Sequence, residues 1–224
     1  LLSRLLSHVR YERDFNNLPI PFVCIATDVE TGNQVILNSG NLTQNILASG
    51  ALPTLYSPVE INGRILIDGG VANNYPIDEV RAMGADIIIG VDVQDGLKTR
   101  NELKGAADVL MQITNFSMYG EMNDKINRTT YYIKPDIKGF SVVSFDQGAE
   151  IVKRGENAAL EYKNEFQALG KLNSVKDASK ITIVQNDSLH ISKIKINQLN
   201  DFTSNYVYGK IKIKPGYKVS YENF

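Results

Sequence analysis

The residues best placed to do chemistry in this 224-residue sequence are those of Ile65-Leu66-Ile67-Asp68-Gly69-Gly70. An apolar run of strand character delivers one carboxylate into a turn where two glycines remove all side-chain bulk. Glycine at such a place admits a positive φ and lets a ligand or a second backbone come close. A carboxylate held at a strand end beside open space can take a proton from a nucleophile. The same residues fit a plain structural role as well, an Asp side chain capping the backbone amides of its own turn. The tripeptide alone leaves both readings open.

A base of this kind needs partners, and the sequence is short of them. The two histidines, His8 and His190, fall in the first helical stretch and in the C-terminal tail. Neither is a convincing member of a Ser-His-Asp triad, which needs a structured histidine beside the other two. If Asp68 is catalytic it therefore acts on the nucleophile directly, as a dyad. An activated serine needs a strained Gly-x-Ser-x-Gly turn and an oxyanion hole. Neither motif occurs in these residues. The expectation is that these 224 residues lack their nucleophile and are inactive alone.

Other polar residues read more plainly. Asp28 and Asp92 stand at strand ends and are expected to cap turns. Cys24, the lone cysteine, lies inside an apolar run and is expected to be inert core. With one cysteine and two histidines no metal site is expected. No Gly-x-Gly-x-x-Gly or Gly-Lys-Ser/Thr loop supports a nucleotide. The formal net charge of −1 gives no footprint for nucleic acid, and 43% hydrophobic with 22% charged residues excludes disorder. No apolar stretch approaches a membrane helix. The chain does not begin with Met and reads as an internal piece of something longer.

The elements that must position Asp68 follow from periodicity. Leu1 to about Arg13 has a helical apolar face, stopped by Pro19 and Pro21. Residues 22–26 read as a strand buried on both faces, paired in a hairpin with 34–37. Residues 42–49 read as a short helix, and 59–68 as a hairpin around Asn62-Gly63. A helix over 77–83 feeds a second doubly buried strand, 86–93, which suggests a partly parallel sheet with helices on both faces. Helix 106–119, strand 130–133 and a long helix over 145–169 complete an α/β layered fold.

Composition changes near residue 172. Residues 171–224 hold nine lysines against four acids, a local balance of +5, and become rich in Ile, Lys and Asn. Two domains are expected, 1–172 and 173–224. In the tail, 181–184 and 191–196 alternate as half-exposed strands, and 201–212 is helical. The tail lysines read as a solvated face, or as a patch suited to anionic lipid head groups.

Four ordered segments carry a resemblance. They are Leu18 to Gly32 with its Pro-Phe-Val-Cys-Ile-Ala-Thr-Asp core, Ala48 to Val59, Asn62 to Ile77 with Asp-Gly-Gly-Val-Ala-Asn-Asn-Tyr-Pro, and Met83 to Val93. Their succession closely resembles the C-terminal part of the bacterial patatin-like phospholipases, over roughly residues 15–170. The resemblance implies a partial three-layer α/β patatin-like sandwich whose N-terminal part lies upstream. It also implies Asp68 as general base of a Ser-Asp dyad, in agreement with the histidine reading. Gly69 and Gly70 would keep the turn open, and Asn73 and Asn74 could support it through side-chain hydrogen bonds. Segments 194–203 and 208–220 look like the start of a POTRA domain, a partial α+β module. Patatin followed by POTRA and barrel is the layout of type Vd autotransporter-like phospholipases.

These resemblances imply a lipid acyl hydrolase of phospholipase A type without metal or cofactor. Phospholipid or another lipid ester would be the substrate, with a membrane surface and an outer-membrane β-barrel in the same polypeptide as partners. The location implied is the bacterial cell envelope: periplasm, outer membrane or cell surface. The competing reading is a non-catalytic patatin-like module that serves as an interaction subunit of an outer-membrane assembly.

Overall fold

The computed structural model describes residues 2–94, 96–141, 144–172, 188–196 and 203–220. The chain divides into two compact units, one of Glu12–Ser179 and one of Leu1–Tyr11 with Lys180–Phe224. The larger unit holds Asp68.

Its centre is a four-stranded sheet ordered β2-β1-β4-β3, made of β1 (Cys24–Asp28), β2 (Gln34–Leu37), β3 (Val59–Ile61) and β4 (Arg64–Asp68). All its pairings are antiparallel. The β1–β2 hairpin pairs Cys24 with Leu37 and Thr27 with Gln34. The β3–β4 hairpin turns at Asn62 and Gly63, both with positive φ (52° and 77°). That is the geometry Asn-Gly favours, because its twist matches that of the flanking strands. One face of the sheet packs Ala26, Leu37 and Leu66 against Ala48 of helix α2 (Leu42–Ser49). Asn41 caps that helix by accepting the Gln44 amide at 3.1 Å.

A second core lies around a two-stranded parallel sheet of β5 (Ile89–Val91) and β6 (Tyr131–Ile133). Ile77 of helix α3 (Ile77–Ala82), Met122 of helix α4 (Ala106–Asn127), Ile88 at the margin of β5 and Tyr75 in the turn before α3 cluster there. The long helical stretch expected after residue 145 is segmented into α5 (Gly148–Ala159) and α6 (Lys163–Leu172), with single 3-10 turns before and between them.

Several expectations need correction. Among the described residues the parallel pairing is that of β5 with β6, while β1–β4 pair antiparallel throughout, a direction that the turns around residues 30–33 and 62–63 set for β1–β2 and β3–β4. The second strand is buried on one face only. Ile88 and Asp92 are buried, whereas Ile87, Ile89, Val91 and Val93 are 46–62% exposed. A continuous apolar run therefore conceals a period-two alternation. Helix α4 runs eight residues past the expected end at Tyr119.

The smaller unit departs further. The helix expected over residues 1–13 is a four-residue turn, α1 (Leu2–Leu5), followed by a 3-10 turn at Ser7–Val9. So short an apolar face, with Leu5 59% exposed, provides little of the packing that sustains a helix. In the tail the strand is β7 (Ser188–His190), not 191–196, and it pairs antiparallel with β8 (Lys218–Ser220). The Gly216 amide donates to the Ile191 carbonyl at 2.7 Å, and that turn contact ends the ladder. Helix α7 (Ser204–Lys210) lies within the expected helical span. The strand expected at 181–184 lies outside the described residues.

Candidate active site

Asp68 closes β4 and is tied down at every backbone group. Its N–H donates to the Ala51 carbonyl at 3.0 Å. Its carbonyl accepts the Thr27 hydroxyl at 2.8 Å. One carboxylate oxygen, Oδ1, accepts the Gly70 amide at 2.7 Å and so caps the 3-10 turn Gly69–Val71. The other, Oδ2, accepts nothing from the described residues. The capping role and the poised carboxylate therefore coexist, one on each oxygen. Burial pushes the Asp68 carboxyl above its ordinary value, and the Gly70 amide offsets only part of that. A carboxylate of raised pKa is a stronger base toward a hydroxyl nucleophile.

The glycines serve close approach, not unusual dihedrals. Neither Gly69 nor Gly70 has a positive φ. A Cβ on Gly69 would stand 2.1 Å from the Ile25 carbonyl oxygen. The turn lies directly on the β1 backbone, and only a residue without a side chain fits. A Cβ on Gly70 would stand 2.8 Å from both Asp68 Oδ1 and Asn74 Oδ1. The carboxamide of Asn74 therefore flanks the Gly70 anchor.

Asn73 holds the far end of the turn. Its amide donates to the Gly69 carbonyl at 2.8 Å. Its side-chain Nδ2 donates to Gln34 Oε1 at 2.8 Å and approaches both oxygens of Glu79 at 3.2 and 3.3 Å. Its Oδ1 accepts the Lys125 ammonium at 2.9 Å. Gln34 Nε2 completes the group by donating to Glu79 Oε1 at 3.0 Å. Strand β2, helix α3 and helix α4 thus converge on one carboxamide.

Sequence reasoning missed Thr27, Gln34, Glu79 and Lys125. They stand 6 to 52 positions from the residues they hold, and no motif marks Gln34, Glu79 or Lys125. Thr27 is legible in hindsight only as a polar residue in an apolar strand, 1% exposed. His8 and His190 are both exposed and belong to the smaller unit, whereas Asp68 belongs to the larger.

The two other strand-end aspartates do cap turns. Asp28 Oδ1 accepts the Glu30 amide at 2.9 Å. Asp92 Oδ1 accepts the Gln94 amide at 2.9 Å, but its Oδ2 also accepts the Tyr132 hydroxyl at 2.6 Å and the Lys134 ammonium at 2.8 Å. Burial pushes the Asp92 carboxyl up, and the bonds from Lys134, Tyr132 and Gln94 outweigh it and hold the carboxyl below its usual range. This locks the ends of β5 and β6 together. Cys24 is half-buried, and desolvation raises its thiol to about 11 despite a bond from Ser49.

Residues 1–81 match the family described as patatin-like phospholipase. An uncharacterized NTE family protein of Mycobacterium tuberculosis is 38% identical over 76 residues, covering 34% of this chain and 21% of that protein. Patatin-like phospholipase domain-containing protein 7 of Mus musculus is 32% identical over 109 residues, 47% of this chain and 8% of the relative. A lysophospholipase of Candida glabrata is 25% identical over 178 residues, 68% of this chain and 10% of the relative. The chain spans about a fifth or less of the length of these relatives. The matched stretch, residues 1–81, contains Asp68, Gly69, Gly70, Asn73 and Asn74.

Proposed function

We propose that this chain supplies the base of a lipid acyl hydrolase, with Asp68 as the proton acceptor of a Ser-Asp dyad. A serine hydroxyl attacks the ester carbonyl of a phospholipid or lysophospholipid while Asp68 Oδ2 takes its proton. The tetrahedral adduct collapses, Asp68 returns the proton to the departing alcohol, and an acyl-enzyme remains. Asp68 then removes a proton from the water that attacks the acyl-enzyme and returns it to the departing serine oxygen, which frees the fatty acid and restores both the serine hydroxyl and the carboxylate. The chemistry requires no metal. The observation that carries this reading is the split carboxylate, half-buried, with Oδ1 anchored on Gly70 and Oδ2 without a partner among the described residues. The patatin-like match over the same residues supports it.

The nucleophile and oxyanion loop are placed upstream of Leu1 by this reading, inside a three-layer sandwich that ends near residue 172. The tail is read as the opening of a POTRA-like module in a bacterial envelope protein that also carries an outer-membrane barrel. Support for that extension is the motif succession of the tail alone, and membrane fractionation of the source cells tests it.

The decisive experiment compares the intact protein with its Asp68→Asn variant on phospholipid and lysophospholipid vesicles, alongside labelling by a fluorophosphonate. Loss of at least about a hundredfold in hydrolysis with the fold retained is expected. Undiminished hydrolysis removes Asp68 from the mechanism. Absence of both hydrolysis and labelling in the parent protein favours a non-catalytic patatin-like module.

A further inference from the structure

The Asn73 carboxamide is gripped by groups of opposite charge. A carboxylate can only accept and an ammonium can only donate. Glu79 on α3 therefore fixes the Nδ2 end and Lys125 on α4 the Oδ1 end, so the amide has a single orientation. Glu79 is 9% exposed, the Lys125 side chain 14%. Gln34 on β2 closes a ring by donating to Glu79 and accepting from Asn73. Glu121, one turn before Lys125, stands 3.5 Å from its ammonium and is mostly exposed. The backbone N–H of Asn73 bonds the Gly69 carbonyl, and the N–H on the other side of that same peptide group, that of Gly70, is the anchor of Asp68 Oδ1.

We propose that Glu79 and Lys125 are positioning residues for Asp68: they clamp Asn73 from opposite sides, and Asn73 holds the turn whose Gly70 amide orients the catalytic carboxylate. The inference rests on Asp68 acting as the base. Three elements distant in sequence spend a buried carboxylate and a largely buried ammonium on one uncharged amide, although the two charges would attract each other directly. A direct Glu79–Lys125 pair would close α3 on α4 equally well and would leave the turn free. Interposing Asn73 transmits the position of both helices to Gly69. Loosening the clamp weakens the Gly70 bond, and that bond favours the ionised form of Asp68. No charged side chain is among the causes of the Asp68 shift, only burial and the Gly70 amide. The clamp therefore acts through geometry and not through its own charges.

The test uses the intact protein with Lys125→Met, Glu79→Gln, Glu79→Ala and Asp68→Asn. Two readouts are taken: the acid limb of kcat/KM against pH on lysophospholipid vesicles, and amide hydrogen exchange of the peptide spanning residues 66–75. Lys125→Met and Glu79→Ala are expected to move the acid limb to higher pH and lower kcat about tenfold with little change in KM. Faster exchange confined to that peptide is expected to accompany them, and Glu79→Gln should restore most of the rate. An unmoved acid limb, or exchange that rises across the whole chain in step with lost thermal stability, overturns the clamp as a positioning device. Retained hydrolysis in Asp68→Asn overturns the base reading and the clamp with it. Loss in Asp68→Asn with unchanged limbs in the clamp variants overturns the clamp alone.

Discussion

The hydroxyl of Thr27 donates to the carbonyl oxygen of Asp68 at 2.8 Å, and its oxygen accepts the Ala72 amide at 3.2 Å. One buried side chain on β1 thereby bonds the residue before the 3-10 turn and the residue after it. The turn is pinned to the sheet at both ends, and Asp68 leaves β4 in a single direction. Thr27→Val keeps the shape but removes the donor to the Asp68 carbonyl and leaves the Ala72 amide with its bond to the Gly69 carbonyl alone. It should lower stability by about 1–3 kcal/mol and reduce hydrolysis by more than Thr27→Ser, which retains the hydroxyl. Chemical denaturation with parallel rate measurements checks both.

The two glycines after Asp68 should respond differently to alanine. At Gly69 the new methyl meets the Ile25 backbone at 2.1 Å, and neither side can move without breaking the sheet. A loss on the order of 3 kcal/mol or more, or failure to fold, is expected. At Gly70 the neighbours are the side-chain ends of Asp68 and Asn74, which can rotate away. Gly70→Ala should fold, with a smaller shift in thermal midpoint and a larger loss of activity. Circular dichroism melts of the two variants separate these outcomes.

The raised Asp68 pKa makes a prediction with a definite sign. A carboxyl whose folded pKa lies above its unfolded value favours folding below the unfolded pKa, and that contribution is lost as pH rises through the folded pKa. At pH 7 the ionised, partly desolvated carboxylate works against the fold. Asp68→Asn should therefore raise the thermal midpoint at pH 7 by about 1–3 °C, and the gain should vanish below pH ~4. A melting series across pH 3–8 measures it.

Asp92 behaves in the opposite sense. Its folded pKa is depressed, so its contribution is present above the ordinary carboxylate value and is lost as pH falls through the folded pKa. Tyr132→Phe removes the 2.6 Å bond and leaves the Lys134 and Gln94 bonds in place. A cost of about 1–2 kcal/mol at neutral pH is expected, with acid unfolding beginning at a higher pH than in the parent. Acid titration followed by fluorescence or circular dichroism tests this.

Cys24 should be slow toward alkylation. With its thiol raised to about 11, little thiolate exists at pH 8. Iodoacetamide labelling of the folded protein should climb with pH toward 11 and become rapid at pH 8 only on unfolding. Mass spectrometry of timed reactions provides the readout.

The local chemistry of this protein was legible in its residues alone. Asn62-Gly63 dictates a hairpin because both residues tolerate positive φ. Apolar runs bounded by turn residues mark β1, β4 and β6, and the carboxylate ahead of two glycines marks the one turn where Asp68 can stand. The aspartates at 28 and 92 announced their capping roles, since a carboxylate two residues before a free amide folds back on it wherever a strand ends.

Tertiary structure alone decided the rest. The role of Gly69 depends on Ile25, whose carbonyl comes close only when β1 pairs with β4. The grip on Asn73 depends on Gln34, Glu79 and Lys125, brought together by three elements whose separations in sequence carry no signal. The exposed face of β5 was hidden as well, because Ile87, Ile89, Val91 and Val93 read the same in sequence whether covered or not. Hydrophobicity and turn chemistry are properties of neighbouring residues. A close backbone approach, or an amide held between two charges, is a property of the assembled fold.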